Sequence, residues 1–284
     1  MDERAEKTNL GSTIEELADA LLGSNVLSES IRQTLDEWAR SLNQIVQFPT
    51  WLEEFNRQHA ELGERLRAAL TPVVSWADKM APTFTLLRQI ELLNKAYWIA
   101  HPALPIGDLI GEQNDAERIA DTVADYVEQH LEDIYQILES RFSSYDCDDQ
   151  TKAFGRELIE AHRHRLFRLI VPAVFPEIER CARDVLGLGA GKRPHAVINS
   201  LNEGLGNLPL SKIGSLHALS VLSMMDEYFY ESIKSEGDAD KFKGMIHRHG
   251  SQHGLLRYSE SRDCLNAMFL FDFVLLGCDA MRKP

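Results

Sequence analysis

AERIADTVADYVEQHLEDIYQILESRF, residues 116–142, decides the fold class. Its apolar residues Ile119, Val123, Val127, Leu131, Ile134 and Leu138 recur mostly at three or four positions, the period of one helix face rather than the alternation of a strand. The same period appears on either side. Upstream, IEELADALLG carries Ile14, Leu17, Leu21 and Leu22 before Gly23, and LSESIRQTLDEWARSLNQI carries Leu27, Ile31, Leu35, Trp38, Leu42 and Ile45. Further helices are expected over Trp51–Leu70 and Thr83–Ala100. HPALPIGD follows, and its prolines Pro102 and Pro105 forbid a helix from continuing. That stretch is the expected boundary between an N-terminal helical region, 1–110, and a second domain, 111–284.

Downstream, SSYDCDDQ reads as a capping turn into a helix that kinks at Pro172 and Pro176 and ends near GLGAGKRP. A Gly/Asn loop is expected over Asn199–Pro209, then a helix in IGSLHALSVLSMMDEYFYESI, a polar loop in KSEGDADKFKG, and a closing helix from Ser259 or Ser261. No β-alternation persists beyond a few residues. The fold class expected is all-α, a helical bundle.

The chain has 284 residues, 44% hydrophobic and 26% charged, with formal net charge −14. Such a charge disfavours nucleic acid and anionic membrane at long range. It is uneven, however: from Lys241 onward seven Lys/Arg face four Asp/Glu. The four cysteines form no CxxC pair, which fits reduced thiols better than a disulfide framework or zinc knuckle. The opening MDERAEKTNLGS is polar and unlike a signal peptide. Leu265–Ala280 contains Asp272 and Asp279 and is short for a bilayer span. A soluble, cytoplasmic protein without a membrane partner is expected.

One segment stands out chemically: IHRHGSQHGLLRY, residues 246–258, with three histidines and Arg248 inside seven residues and no carboxylate. Three readings compete. His249 and His253 lie four apart, a spacing that can hold zinc on a helix. No thiol or carboxylate completes such a set, and Arg248 would oppose a cation, so neither metal nor cofactor is expected. The second reading is a set of surface or core histidines at a helix start. The third is phosphate chemistry: the guanidinium matches phosphate oxygens, the imidazole carries a proton near neutrality, and in RNA the 2′-OH is a built-in nucleophile. Lys243, Arg257 and Tyr258 are candidate substrate contacts. One copy supplies few groups, and a two-fold pair would double them.

RHGSQHG resembles the Arg-x4-6-His motif of the HEPN superfamily, helical proteins that are often metal-independent ribonucleases. The resemblance extends over roughly the last 170 residues, from about Asn114, through YDCDDQTKAFGRELIEAHRHRLFRLIVPAVFPEIERCARDVLG and SLHALSVLSMMDEYFYESI to the motif. It implies a HEPN-like four-helix core, a homodimer with the two motifs facing, and RNA cleavage leaving a 2′,3′-cyclic phosphate. Arg248 matches the motif arginine and His253 its histidine. His249 stands where a polar Asn is frequent and is expected as auxiliary acid or substrate contact. The resemblance further implies a toxin or effector of antiphage or stress defence, restrained by a regulatory partner or by residues 1–110. The alternative is a non-catalytic dimerisation or interaction module that binds a nucleotide or a protein.

Some members keep an acidic residue near the motif on an earlier helix, and Glu179, Asp226 and Glu227 are the candidates here. Asp272 falls within the apolar stripe of the closing helix. A buried carboxylate needs a partner, and the expected one is Arg248 or a motif histidine.

Overall fold

The computed structural model describes residues 85–111, 113–206, 221, 225, 229–231, 233, 236–242 and 244–283. The chain forms two compact units, Met1–Glu91 and Leu92–Pro284. The helices expected over 14–70 lie outside the described residues, as do Lys243, Asp226 and Glu227.

Among the described residues of the second unit the α-helices are α1 (Ile106–Ile110), α2 (Ala116–Ser144), α3 (Asp149–Arg163), α4 (Phe167–Leu186), α5 (Pro194–Gly206), α6 (Glu236–Ala239), α7 (Arg248–Gln252) and α8 (Ser261–Arg282). A 3₁₀ turn at Asp240–Phe242 follows α6, and the described residues hold no strand. The all-α reading holds.

Local chemistry explains the ends. Asp115 caps α2 by accepting the Glu117 amide at 3.0 Å, and Asp148 caps α3 by accepting the Thr151 amide at 2.9 Å. The buried stripe of α2 is Ile119, Val123, Val127, Ile134, Leu138 and Phe142, with a break in helical geometry at His130. Gly155 lets α3 approach it closely, since a Cβ there would lie 2.6 Å from the Phe142 ring.

The closing helix α8 is the centre. It packs most extensively on α4 and also touches α2, α3 and α5, while α3 joins α2 to α4. Nearly every residue from Asp263 to Ala280 is buried, so the helix has no solvent face to make it amphipathic. Its length and apolarity would suffice to cross a membrane, but 89% of its apolar stretch is buried inside the fold.

Polar side chains fix its register. Asp272, with 0% exposure, accepts Arg141 Nη2 at 2.6 Å, Arg141 Nε at 2.8 Å, the Tyr145 hydroxyl at 2.9 Å and His101 Nε2 at 3.1 Å. Asn266 accepts the Ile99 amide at 2.9 Å and donates to the Tyr97 carbonyl at 2.8 Å.

The second compact unit begins at Leu92, and four expectations inside it need correction. The prolines of HPALPIGD do stop a helix, yet Ala100, His101, Ala103, Leu104, Ile106 and Ile110 are buried, so this stretch is core and not linker. The single helix expected after Asp148 is two, because the chain turns at His164–Leu166. The loop expected from Asn199 is helical to Gly206: Val197, Ile198, Leu201 and Leu205 make a fully buried stripe that outweighs the poor propensity of its Gly and Asn. Finally, Asp272 pairs with Arg141, Tyr145 and His101, not with Arg248 or a motif histidine.

Candidate functional site

The motif is a short helix with an irregular exit. His247 is its N-cap, its Nδ1 accepting the Gly250 amide at 3.0 Å. Burial, then the charge of His249, lowers the His247 pKa to about 4, so the ring stays neutral and free to accept. Gly250 has no room for a side chain, since a Cβ would stand 2.6 Å from Leu256 Cδ1. Leu256 itself packs on Ile233 and Phe242, an apolar floor on which the His247 ring also rests, 4.4 Å from Phe242. The helix ends at His253, and Gly254 follows at φ +69°, a left-handed conformation suited to glycine.

Helix α7 sits on α4. Pro176 has no N–H to bond the Pro172 carbonyl one turn earlier, and Gln252 Nε2 makes a long contact of 3.5 Å to that carbonyl. From the same helix Glu179, itself buried, reaches Arg248: Oε1 accepts Arg248 Nε at 2.7 Å. The Nη atoms of Arg248 have no protein partner among the described residues. Arg183, one turn along α4, approaches Glu179 Oε2 at 3.7 Å. The hydroxyl of Tyr230, buried and without a hydrogen-bond partner among the described residues, titrates well above the usual phenol range. Burial is the main cause, and the Glu179 charge adds to it while Arg248 opposes.

His249 spends Nδ1 on the Ile233 amide at 3.0 Å. A ring nitrogen that accepts carries no proton, so Nε2–H is the free donor of neutral His249. Its pKa is lowered by burial, then by the charges of His253 and Arg248. His253 is exposed, and its ring meets that of His249 edge to face at 4.4 Å.

The structure therefore brings Glu179, Arg248, His249 and His253 into one cluster at the α4–α7 contact. It leaves out Asp272, which serves the core. Tyr258 was expected to touch substrate, but it is buried and its hydroxyl donates to the Met245 carbonyl at 3.1 Å, tying the two ends of the motif segment together. Arg257 is exposed and makes no ion pair among the described residues. Two neighbours escaped the sequence reading. Arg183 was findable as the residue four after Glu179 on one helix face. Nothing local in MMDEYFY separates Tyr230 from a core aromatic.

No group of three or more His, Cys, Asp or Glu among the described residues is placed to hold a metal ion. No protein-family model, curated protein or solved structure matches this chain.

Proposed function

We propose that this protein is an endoribonuclease of the HEPN type, a homodimer whose two motifs share one cleft. The observation that carries the reading is Arg248: its Nε is fixed by Glu179 at 2.7 Å, while its Nη groups keep their donors for an anion. A guanidinium held by one edge is preorganised to meet a phosphate with the other, without reorganising as charge develops.

The reaction needs few parts. The ribose 2′-oxygen attacks phosphorus, its proton passes to an imidazole, and the bond to the 5′-oxygen breaks as that oxygen takes a proton. The products are a 2′,3′-cyclic phosphate and a 5′-hydroxyl. His253, exposed at the end of α7, is the proton carrier. In a facing pair the two copies of His253 divide the roles of base and acid. Arg248 stabilises the crowded phosphorane. His249, its Nδ1 committed to the Ile233 amide, is a substrate contact through Nε2–H rather than an acid. In the cell such an activity fits a toxin or defence effector restrained by a partner.

The test is cleavage of an RNA and of DNA of matching sequence, with and without EDTA. The reading expects RNA alone to be cut, in both conditions, and His253→Ala to abolish it. Loss with EDTA would favour a metal enzyme. Intact RNA bound by a dimer would favour the interaction module.

A further inference from the structure

The Gly-rich stretch GLGAGKRP, residues 187–194, leaves the end of α4 beside the motif. Arg183 makes the connection. Its main-chain carbonyl accepts the Leu188 amide at 2.9 Å, closing the turn after α4, and its Nη2 donates to the Lys192 carbonyl at 3.2 Å. The same Nη2 stands 3.7 Å from Glu179 Oε2, on the carboxylate whose Oε1 holds Arg248 Nε at 2.7 Å. One buried carboxylate therefore carries two guanidiniums, one from α4 and one from the motif helix.

Among the described residues the charges at this point do not balance. Glu179 supplies one negative charge against two positive ones, and Asp184, the next carboxylate along α4, is engaged by Arg282. Each of the two arginine side chains keeps 22% exposure, so both reach solvent. Arg183 Nη1 and the Nη atoms of Arg248 have no hydrogen-bond acceptor among the described residues. Two guanidiniums on one carboxylate leave a surplus cation with unspent donors, and the planar fork of arginine matches phosphate oxygens.

The surplus continues outward along the loop. Two stretches of this acidic chain hold bases and no carboxylate: 185–202, with Lys192, Arg193 and His195, and 241–259, with Lys241, Lys243, Arg248 and Arg257. They are separate in sequence, and the contacts of Glu179 and Arg183 bring them together. Lys192 and Arg193 are exposed and make no ion pair among the described residues. A Cβ added at Gly189 or Gly191 would meet no atom within 4 Å, so nothing described covers the loop.

We infer that Arg183, Lys192 and Arg193 form an anion track that continues from Arg248 and holds the RNA phosphates next to the one that is cut. The substrate class is then an RNA strand several nucleotides long, gripped through its backbone without regard to base, rather than a dinucleotide. Phosphate contacts of this kind set position and carry no sequence information. The inference rests on the nuclease reading only for which phosphate is cut.

Fluorescence anisotropy of the full chain with a 2′-O-methyl RNA of about ten nucleotides, at about 50–200 mM salt, tests the track. That strand lacks the attacking hydroxyl and stays intact, so binding is read apart from cleavage. The logarithm of affinity should fall linearly with that of salt, by about 0.7 for each phosphate neutralised on a single strand. The exposed pair Lys192→Gln/Arg193→Gln should reduce that slope by about 1.4, and adding Arg183→Gln should bring the reduction to about 2 and weaken binding ~10-fold or more near 100 mM salt. Arg118→Gln, which removes an exposed cation from the first turn of α2, should leave the slope alone. A parent that binds, variants that lose the slope, and no RNA cut by any of them would sink the nuclease reading and keep the track. The track is overturned if the parent does not bind the strand, if the double and triple variants keep the parent slope, or if Arg118→Gln lowers the slope as much as they do.

Discussion

Glu179 and Arg248 are 69 residues apart in the chain and 2.7 Å apart in space. The contact joins α4 to the motif helix and is the only ion pair found for Arg248 among the described residues. Glu179→Ala should free the guanidinium to swing. Misplacement of a catalytic group by an ångström can cost about 100-fold, so single-turnover cleavage of RNA should fall by one to two orders of magnitude, measured on protein shown to be folded. Arg248→Ala should cost about 100- to 1,000-fold, the scale for removing a preorganised donor. Arg248→Lys should rescue little, because an ammonium cannot bond Glu179 with one edge and phosphate with the other.

Asp272 makes a different prediction. Burial pushes its carboxyl upward, but hydrogen bonds from His101 and Arg141 prevail and hold it below the ordinary carboxylate range. Asp272→Asn removes the charge that Arg141 needs and should cost about 3–5 kcal/mol in denaturant unfolding. Cleavage per folded molecule should change little, since Asp272 touches none of Glu179, Arg248, His249 or His253.

Acid should destabilise the fold through its buried histidines. His101, His162 and His247 are all lowered below 6.5, each mainly by burial, His247 to about 4. Below pH 6.5 the unfolded chain takes up protons that the folded chain refuses, so stability present above that pH is lost as pH falls. For His247 the loss is complete near pH 4 and amounts to about 3 kcal/mol. His247→Asn keeps a capping side chain without a titrating ring. It should flatten the stability profile between pH 6.5 and 4, read from urea midpoints at successive pH values.

Gly250 tests the packing of the motif. A Cβ there meets Leu256 Cδ1 at 2.6 Å and Cγ at 2.8 Å. Gly250→Ala should destabilise by about 1–3 kcal/mol. Adding Leu256→Ala removes the clash, so the double variant should be less destabilised than the sum of the two single ones.

Helix identity was legible wherever one stripe and one cap coincided. Residues 116–144 and 261–282 are helices as read, and Asp148 starts α3 as the SSYDCDDQ turn implied. What stayed hidden was decided at long range. HPALPIGD looks like a linker because proline ends helices, but the burial of His101 depends on Asp272, 171 residues later. Residues 199–206 look like a loop because Gly and Asn are weak helix formers, and packing of Gly204 against Met281 and Leu186 is not visible locally. At the motif, residue chemistry named Arg248, His249 and His253, and the family resemblance added Glu179 as one of three acidic candidates. The same reasoning misplaced Tyr258, because a tyrosine beside a basic motif reads equally as substrate contact or strut, and only its burial distinguishes them.

The most direct measurement is the chemistry of the cut. An RNA, its all-deoxy copy and an RNA with one 2′-deoxy residue before the preferred cleavage point are each incubated with the purified protein in EDTA, and the ends are identified by mass. The account predicts 2′,3′-cyclic phosphate and 5′-hydroxyl ends from the RNA alone, silence at the single deoxy site, and loss with His253→Ala. Cleavage at the deoxy site, 5′-phosphate ends, or full activity in His253→Ala would contradict it.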